Sequence, residues 1–437
     1  MGADVTVIGA GYGGLTTAAI LAHNGVDVEV LESTGHLGGR ATFDRKDGFT
    51  VDYGIHANRF ASEGEAAAAL REIGHEIDFL PMGEPLLYRG GSFVSLPSSV
   101  PQLLKSEFLS TSDKLLMASN MLKLVISNKR KNSNVTLDNA VWGKGRPEIS
   151  SLLTVLSGIG IISPDTSVTS AGDFATFLKR ALRAKQTVAY PRGGTSQIIE
   201  ALAKKIEQSG KITLNSRAKT IEVKDGCVTS VSVKEELLDC RAVVAAFPVQ
   251  KLPDLVPQGT LPESFTKRCR SLIPTAGVSI DLWLTENVSD IDGLITSQDP
   301  VTMGQFTSNI DPGTAPEGKQ LATWYYPLPA STMKDEQMVE AGEKELLELL
   351  DRMFPGIMDK VERQRVLKLN MVDGAEPRVG QTAPDRPRAK VPGVENLFIA
   401  GDTVSATGSG GGDIAFSSGI EAARQVLAYL KRQVSTC

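Results

Sequence analysis

The chain opens on a β-branched apolar run, Asp4-Val-Thr-Val-Ile8, and passes through glycines into an Ala- and Leu-rich stretch, Leu15 to Asn24. The first predicts a short strand and the second a helix, because their apolar residues follow strand and helical spacing respectively. Gly25 stops the helix, and Val26 to Leu31 alternates as a second strand that ends on Glu32. From Phe60 to about Ala189 the pattern predicts helices, including Glu63 to Ile73, Ser112 to Ser127 and Ala171 to Leu182. An amphipathic helix over Thr195 to Ser209 is followed by short alternating strands at Lys211 to Leu214, Ala218 to Val223 and Val228 to Val233, with a hairpin turn at Lys224-Asp-Gly226. Arg241 to Pro248 looks like a parallel strand closing a sheet. From Lys251 to about Asn370 come strand-like segments at Gly277 to Leu284 and Leu321 to Tyr326 and an acidic helix, Lys334 to Phe354, and the chain ends on an apolar strand from Val394 and a helix, Ile414 to Leu430.

The first two strands and their helix make a βαβ unit around Gly9-Ala-Gly11-Tyr-Gly13-Gly14. Each glycine has a reason in this pattern. Gly9 permits the tight turn, Gly11 lets the backbone approach a pyrophosphate, and Gly14 allows close helix packing, while the helix N-terminus faces the phosphate charge. Glu32 stands where a carboxylate accepts from a ribose hydroxyl. The unit predicts dinucleotide binding.

The dinucleotide is indicated just downstream. Glu32-Ser33-Thr-Gly-His-Leu-Gly38-Gly39-Arg40 resembles the signature of the flavin-dependent amine oxidase and phytoene desaturase superfamily. The resemblance implies FAD, with Ser33, Gly38, Gly39 and Arg40 lining its pyrophosphate and flavin; a cation there can close over a dianion. Asp52-Tyr-Gly-Ile-His56 is similar to that family's Asp-x-Gly segment beside the flavin, and Tyr190-Pro-Arg192-Gly-Gly194 to its Tyr-Pro-x-Gly-Gly segment, where the chain returns to the FAD domain. His56 and Arg192 are catalytic candidates by position alone. The resemblance also puts Ala218 against the adenine. In the last motif, Gly401-Asp402 would bind the ribityl or pyrophosphate region, and the helix start at Gly412, Asp413 and Ile414 would face the flavin N1 and O2, where a helix N-terminus stabilises negative charge.

Composition narrows the rest. At roughly 150 residues per domain, 437 residues suggest two to three domains. With 46 Lys and Arg against 51 Asp and Glu the net charge is -5, and no basic block tracks a phosphate backbone, so nucleic acid is not an expected partner. The four cysteines form no C-x-x-C pair and the four histidines have no metal-ligand spacing, so no metal is expected. The N-terminus carries no secretory pattern and no apolar run is long enough to span a membrane, which predicts a cytoplasmic protein. The apolar stripe and basic end of Lys114 to Lys131 admit peripheral membrane contact, although a core-facing helix with a solvated basic end is the preferred reading.

The expected fold is α/β, a Rossmann-like FAD-binding domain (1–60, 190–250 and 390–437) interleaved with an α+β substrate-binding domain (61–189 and 251–389) built as a mainly antiparallel sheet with a helical cap. No second glycine fingerprint occurs, so direct NAD(P)H use is not expected; oxygen, a quinone or a redox protein is the expected electron partner. Asn370 to Asn396 contains no aromatic residue and no Trp follows Trp324, which weakens the amine-oxidase branch in favour of the phytoene desaturase-like one. The expected reaction is hydride transfer between flavin N5 and an apolar, isoprenoid or lipid-like substrate. The alternatives are an amine or protoporphyrinogen-type oxidase using oxygen, a redox-neutral flavin-dependent isomerase, and a flavin-free escort protein of the GDP-dissociation-inhibitor kind, the last disfavoured by the intact Gly-Gly-Arg and Gly-Asp segments.

Overall fold

The computed structural model describes residues 2–97, 99–106, 109–127, 132–141 and 145–435. The basic end of the apolar stripe, residues 129–131, lies outside the described residues. Five strands pair in parallel in the order Lys211–Thr213, Val28–Leu31, Val5–Ile8, Ala242–Ala245 and Leu397–Ile399. Val5–Ile8 and Ala242–Ala245 are buried at every position, as a parallel sheet covered on both faces requires. Lys211–Thr213 therefore belongs to this sheet and not to the hairpin that follows. That hairpin, Ala218–Lys224 with Cys227–Val233, gains a third strand, Glu236–Asp239.

The helix Tyr12–His23 is buried over most of its length and packs against both Thr195–Ile206 and Gly411–Ser435. Glycines let the start of this helix sit close on the neighbouring turns. A Cβ at Gly13 would stand 2.8 Å from the Gly401 nitrogen, and one at Gly14 only 1.9 Å from the Gly9 oxygen. Gly14 thus serves packing, as its place in the motif predicts.

A second sheet of seven strands runs in the order Val361–Leu369, Ala276–Leu284, Gln320–Leu328, Val301–Phe306, Gly293–Gln298, Gly83–Arg89 and Ser92–Ser95. One expectation is corrected here. The stretch after Phe60 is not helical throughout, since Gly83–Arg89 and Ser92–Ser95 form a hairpin across Gly90 and Gly91, both at positive φ. The sheet is mainly antiparallel, as expected, with one parallel pairing, between Gly293–Gln298 and Gly83–Arg89. Both insertions thereby share one sheet. The acidic helix, Glu336–Met353, buries Val339, Leu346, Leu349 and Leu350 against it. The helices Thr111–Ile126, Pro147–Ile161 and Ala171–Ala181 form a separate apolar cluster with Leu87 and Leu96.

Candidate active site

A cavity of about 850 Å³ extends from Glu32, Ser33 and Thr34, past the glycine loops, to an apolar chamber under the cap helices. At its polar end Gly11 and Gly38 form a parallel bridge. Gly38 and Gly39 have φ of +94° and +59°, conformations that L side chains rarely adopt. Gly11 is the N-cap of Tyr12–His23, has no side-chain cap, and no acidic residue follows in the first turn. The helix N–H groups and its positive dipole end therefore face a cavity rather than a carboxylate, a site suited to phosphate. A Cβ on Gly11 would meet nothing closer than the Gly38 oxygen at 3.9 Å. It would project into open space between the loops, the space that a pyrophosphate needs.

Glu32 is buried at the cavity edge. Its Oε2 accepts from the Ala10 nitrogen at 2.8 Å, and Oε1 accepts from the Thr34 nitrogen at 2.8 Å and the Thr34 and Ser33 hydroxyls at 3.0 and 3.2 Å. The carboxylate is thus oriented before any ligand arrives. Exchanging Glu32 for Ala removes a ribose acceptor worth about 1.5–3 kcal/mol, a rise of roughly 10- to 150-fold in the FAD dissociation constant. Fluorescence titration of the deflavinated protein measures it, and an unchanged constant refutes the role.

Arg40 and Asp402, separate in the sequence reading, bind each other. Arg40 donates Nη1 to Asp402 Oδ2 at 2.8 Å and Nη2 to Oδ1 at 2.7 Å, and Nη1 also donates to the Val372 carbonyl. Three of the five guanidinium N–H groups are spent on these contacts, and both residues still line the cavity. Asp402 further accepts from the Gly374 nitrogen at 2.6 Å. Burial raises its carboxyl, but the Arg40 charge and hydrogen bonds more than offset this and hold it below the usual carboxylate range. Arg40 is correspondingly raised: burial opposes its charge, and Asp402 outweighs that. The remaining Arg40 N–H groups are what a phosphate can use.

The final helix starts at Gly411. Its first N–H already donates to Asp373 Oδ2 at 3.0 Å, and the Ile414 N–H donates to the Gly410 carbonyl. Gly412 and Asp413 line the cavity; Ile414 does not, and borders instead a small void behind the helix. The helix turn consumes the group that the motif offered at Ile414. Asp373 is a wall residue that no motif announced, and its carboxyl is raised by burial and by the nearby Asp402.

The other candidates divide. His56 lines the cavity with Nε2 2.9 Å from the Tyr53 carbonyl. Arg192 is on the surface, exposed and paired with Asp78 at 2.8 Å, so its position gives it no part in the chemistry. Ala218 is half-buried on its strand and is not a wall residue of the cavity. Asp52 is buried and acts as a cross-link: Oδ1 accepts from the Thr195 nitrogen and hydroxyl, and Oδ2 from the Tyr190 hydroxyl at 2.8 Å. The two motif segments containing Asp52 and Tyr190 thus fasten to each other. Gly194, at φ +75°, leaves room for this, because a Cβ there would lie 2.8 Å from Asp52 Oδ1. Arg59 is a further wall residue missed in the sequence, where a lone arginine gives no signal; its Nε donates to the Gly160 carbonyl at 2.9 Å.

The cavity therefore fits FAD: a buried, oriented carboxylate at one end, a glycine cradle on an uncapped helix, a partly free guanidinium and a second helix start. Comparison with known proteins agrees. The chain is 24% identical over 403 residues to coproporphyrinogen III oxidase of Staphylococcus aureus, covering 81% of this chain and 84% of that one. It is 22% identical over 437 residues to the 15-cis-phytoene desaturase of Synechococcus elongatus, covering 91% and 90%. A match to mitochondrial protoporphyrinogen oxidase of Nicotiana tabacum is 36% identical over 135 residues but spans only 30% of this chain and 26% of the relative. In fold, an oxidoreductase from Methanosarcina mazei superposes with a TM-score of 0.81 at 21% identity over 96% of this chain and 99% of its own, and wild-type putrescine oxidase with 0.73 at 15% identity over 98% and 99%. The pattern of the flavin containing amine oxidoreductases matches residues 12–427; the chain belongs to that family and is an FAD-dependent oxidoreductase.

Proposed function

We propose that the chain exchanges hydride between FAD and an apolar, isoprenoid or lipid-like molecule. The observation that carries this reading is the continuity of the cofactor cleft with a chamber walled by Leu103, Met117, Met121, Leu156, Phe174 and Phe177. Burial of a hydrocarbon in such a chamber yields about 25 cal/mol per Å². The reading treats 1–60, 190–250 and 390–437 as the FAD domain and 61–189 and 251–389 as the substrate domain, a division supported by the separate parallel and seven-stranded sheets.

Bound FAD supplies the two-electron carrier. The residues of the chain do the rest. The uncapped helix at Gly11 and the remaining Arg40 N–H groups would hold the pyrophosphate, Glu32 would hold the ribose, and Gly412 with Asp413 would line the flavin end of the cavity. The cap helices exclude water and align the chain of the substrate. No helix among the described residues is long and apolar enough to cross a membrane. Yet Leu122 is 61% exposed while also lining the cavity, and Leu115 and Ile126 of the same helix are 62% and 74% exposed, which favours loading from an apolar phase at a membrane surface.

The test is anaerobic mixing of the yellow holoenzyme with 15-cis-phytoene in liposomes, with coproporphyrinogen III, and with putrescine. Bleaching of the flavin band by the first alone is expected. Bleaching by putrescine alone would overturn the proposal, and a substrate altered without net bleaching points to isomerisation. A porphyrinogen is the second reading, favoured by Arg59, whose Nη groups make no hydrogen bond to another described residue and are available to a carboxylate.

A further inference from the structure

The third residue of the final helix, Asp413, turns a carboxyl group into the cavity that the apolar chamber opens onto. Asp413 is 7% exposed. Its single hydrogen bond to a described residue comes from the Ser409 nitrogen, which donates to Oδ2 at 3.3 Å; Oδ1 has no such partner. Its acidic neighbours are committed elsewhere. Asp402 is held by Arg40 and Gly374, Asp373 accepts from the Gly411 nitrogen, and Glu65 is held by both Nη atoms of Arg180 at 2.7 and 2.9 Å. A buried carboxyl with an unused oxygen is costly to keep, and this one lines the cavity.

We infer that the Asp413 side chain is the acid–base residue of the site, taking the substrate proton in oxidation and returning it in reduction. The inference rests on the hydride-transfer reading above. In desaturation two neighbouring carbons each lose a hydrogen. Asp413 takes one as a proton, the electron pair of that C–H bond becomes the new double bond, and the other hydrogen leaves as hydride for FAD. Two electrons and one proton pass to the cofactor with the hydride, and one proton remains on Asp413. In the reverse direction the protonated side chain gives its proton to the carbon next to the one that receives hydride.

The surroundings suit both states. Facing Asp413 are Arg59 from the segment Asn58–Arg59, Glu65 from Glu65–Arg71 and Arg180 from Ala171–Ala181, while Asp373, from the loop after Val361–Leu369, accepts from the first N–H of the helix. Burial raises the carboxyl, Arg59 and Arg180 lower it and Glu65 raises it, leaving it at about 6. Such a group changes charge near neutrality, where a general acid–base residue works best.

The experiment uses holoenzyme and its D413N and D413E variants, with stopped-flow flavin reduction by 15-cis-phytoene in liposomes as the probe reaction. D413N is expected to retain FAD and to slow reduction by about 10²- to 10⁴-fold, with a smaller effect on the phytoene concentration at half-maximal rate. The rise in wild-type rate with pH, centred near 6, should vanish in D413N, and D413E should restore part of it. D413N reducing within threefold of wild type, with the same pH limb, overturns the inference. A second readout needs no substrate: the infrared carboxyl band of resting holoenzyme should titrate near pH 6, be missing in D413N and be displaced in D413E. If phytoene bleaches no wild-type flavin at any pH, the isoprenoid reading has failed and the infrared titration alone judges Asp413. A titration identical in all three proteins refutes it. Should D413N lose FAD, the D413E rate profile and band decide in its place.

Discussion

Replacing Gly11 with valine is expected to yield a folded protein that does not retain FAD. The backbone there has φ -79° and ψ 179°, an extended conformation that any residue adopts. The nearest atom to a new Cβ is the Gly38 oxygen at 3.9 Å, so the Cβ itself meets no clash. The two methyl groups would instead stand between the glycine loops and over the open N-terminus of Tyr12–His23. A pyrophosphate kept from that place loses several charge-assisted hydrogen bonds of about 1.5–3 kcal/mol each. Three of them amount to a loss of roughly 10³-fold or more in affinity. Purified G11V should be colourless, with a far-ultraviolet dichroism spectrum like that of the deflavinated wild type. Gly14→Val is the contrasting variant, because its Cβ would meet the Gly9 oxygen at 1.9 Å and the sheet itself must move. A yellow G11V protein with stoichiometric FAD would show that the pyrophosphate lies elsewhere.

The contrast between these two glycines marks what was legible in the chain. Local motifs with fixed spacing, such as Gly9 to Gly14 with Glu32, carry their geometry in the sequence because turn, helix start and strand end are all covalently close. The hairpin at Gly83–Arg89 and Ser92–Ser95 is also written in the sequence, as two short runs around Gly90-Gly91, but it lies among segments with helical spacing. Long-range pairing was not legible. Arg40 meets Asp402 across 362 positions, so each could be assigned to the cofactor while their mutual neutralisation stayed hidden. Arg192 shows the converse error. Its motif neighbour Tyr190 fastens the Asp52 segment, yet the arginine itself, in the turn just after the strand Val188–Pro191, pairs with exposed Asp78. Asp373 and Arg59 carry no pattern at all, and only folding brings them to the final helix.

Arg365→Met is expected to destabilise the protein by about 3–5 kcal/mol at pH 8, the cost of leaving a buried charge without its partner, and by much less at pH 5. Arg365 donates Nε to Asp281 Oδ2 at 2.7 Å, Nη1 to Asp44 Oδ2 at 2.9 Å and Nη2 to the Asp52 carbonyl at 2.7 Å, and its guanidinium lies 4.0 Å over the Tyr53 ring. It therefore ties the seven-stranded sheet to the strand that leads into the cavity wall Tyr53 to His56. Asp281 is fully buried, and that burial raises its carboxyl to about 6 against the pull of Arg365 and the Thr323 hydroxyl. Its folded value exceeds the unfolded value of about 3.9, so the stability it lends is complete below pH 4 and is lost as pH rises through 6. Without Arg365 the folded value climbs further, and the loss continues beyond pH 6. The gap between wild type and variant must then open between pH 6 and 8. At pH 5 Asp281 is protonated in both proteins, and what remains is the loss of the other hydrogen bonds, about 1–3 kcal/mol. Urea unfolding at the two pH values measures the difference, and a gap of the same size at both would mean that Asp281 is not ionised in the fold. The same anchor bears on the cofactor: Tyr53 to His56 lines the cavity and follows directly on the Asp52 carbonyl that Arg365 holds. R365M holoenzyme at pH 8 should therefore release FAD at urea concentrations below those that unfold the parallel sheet.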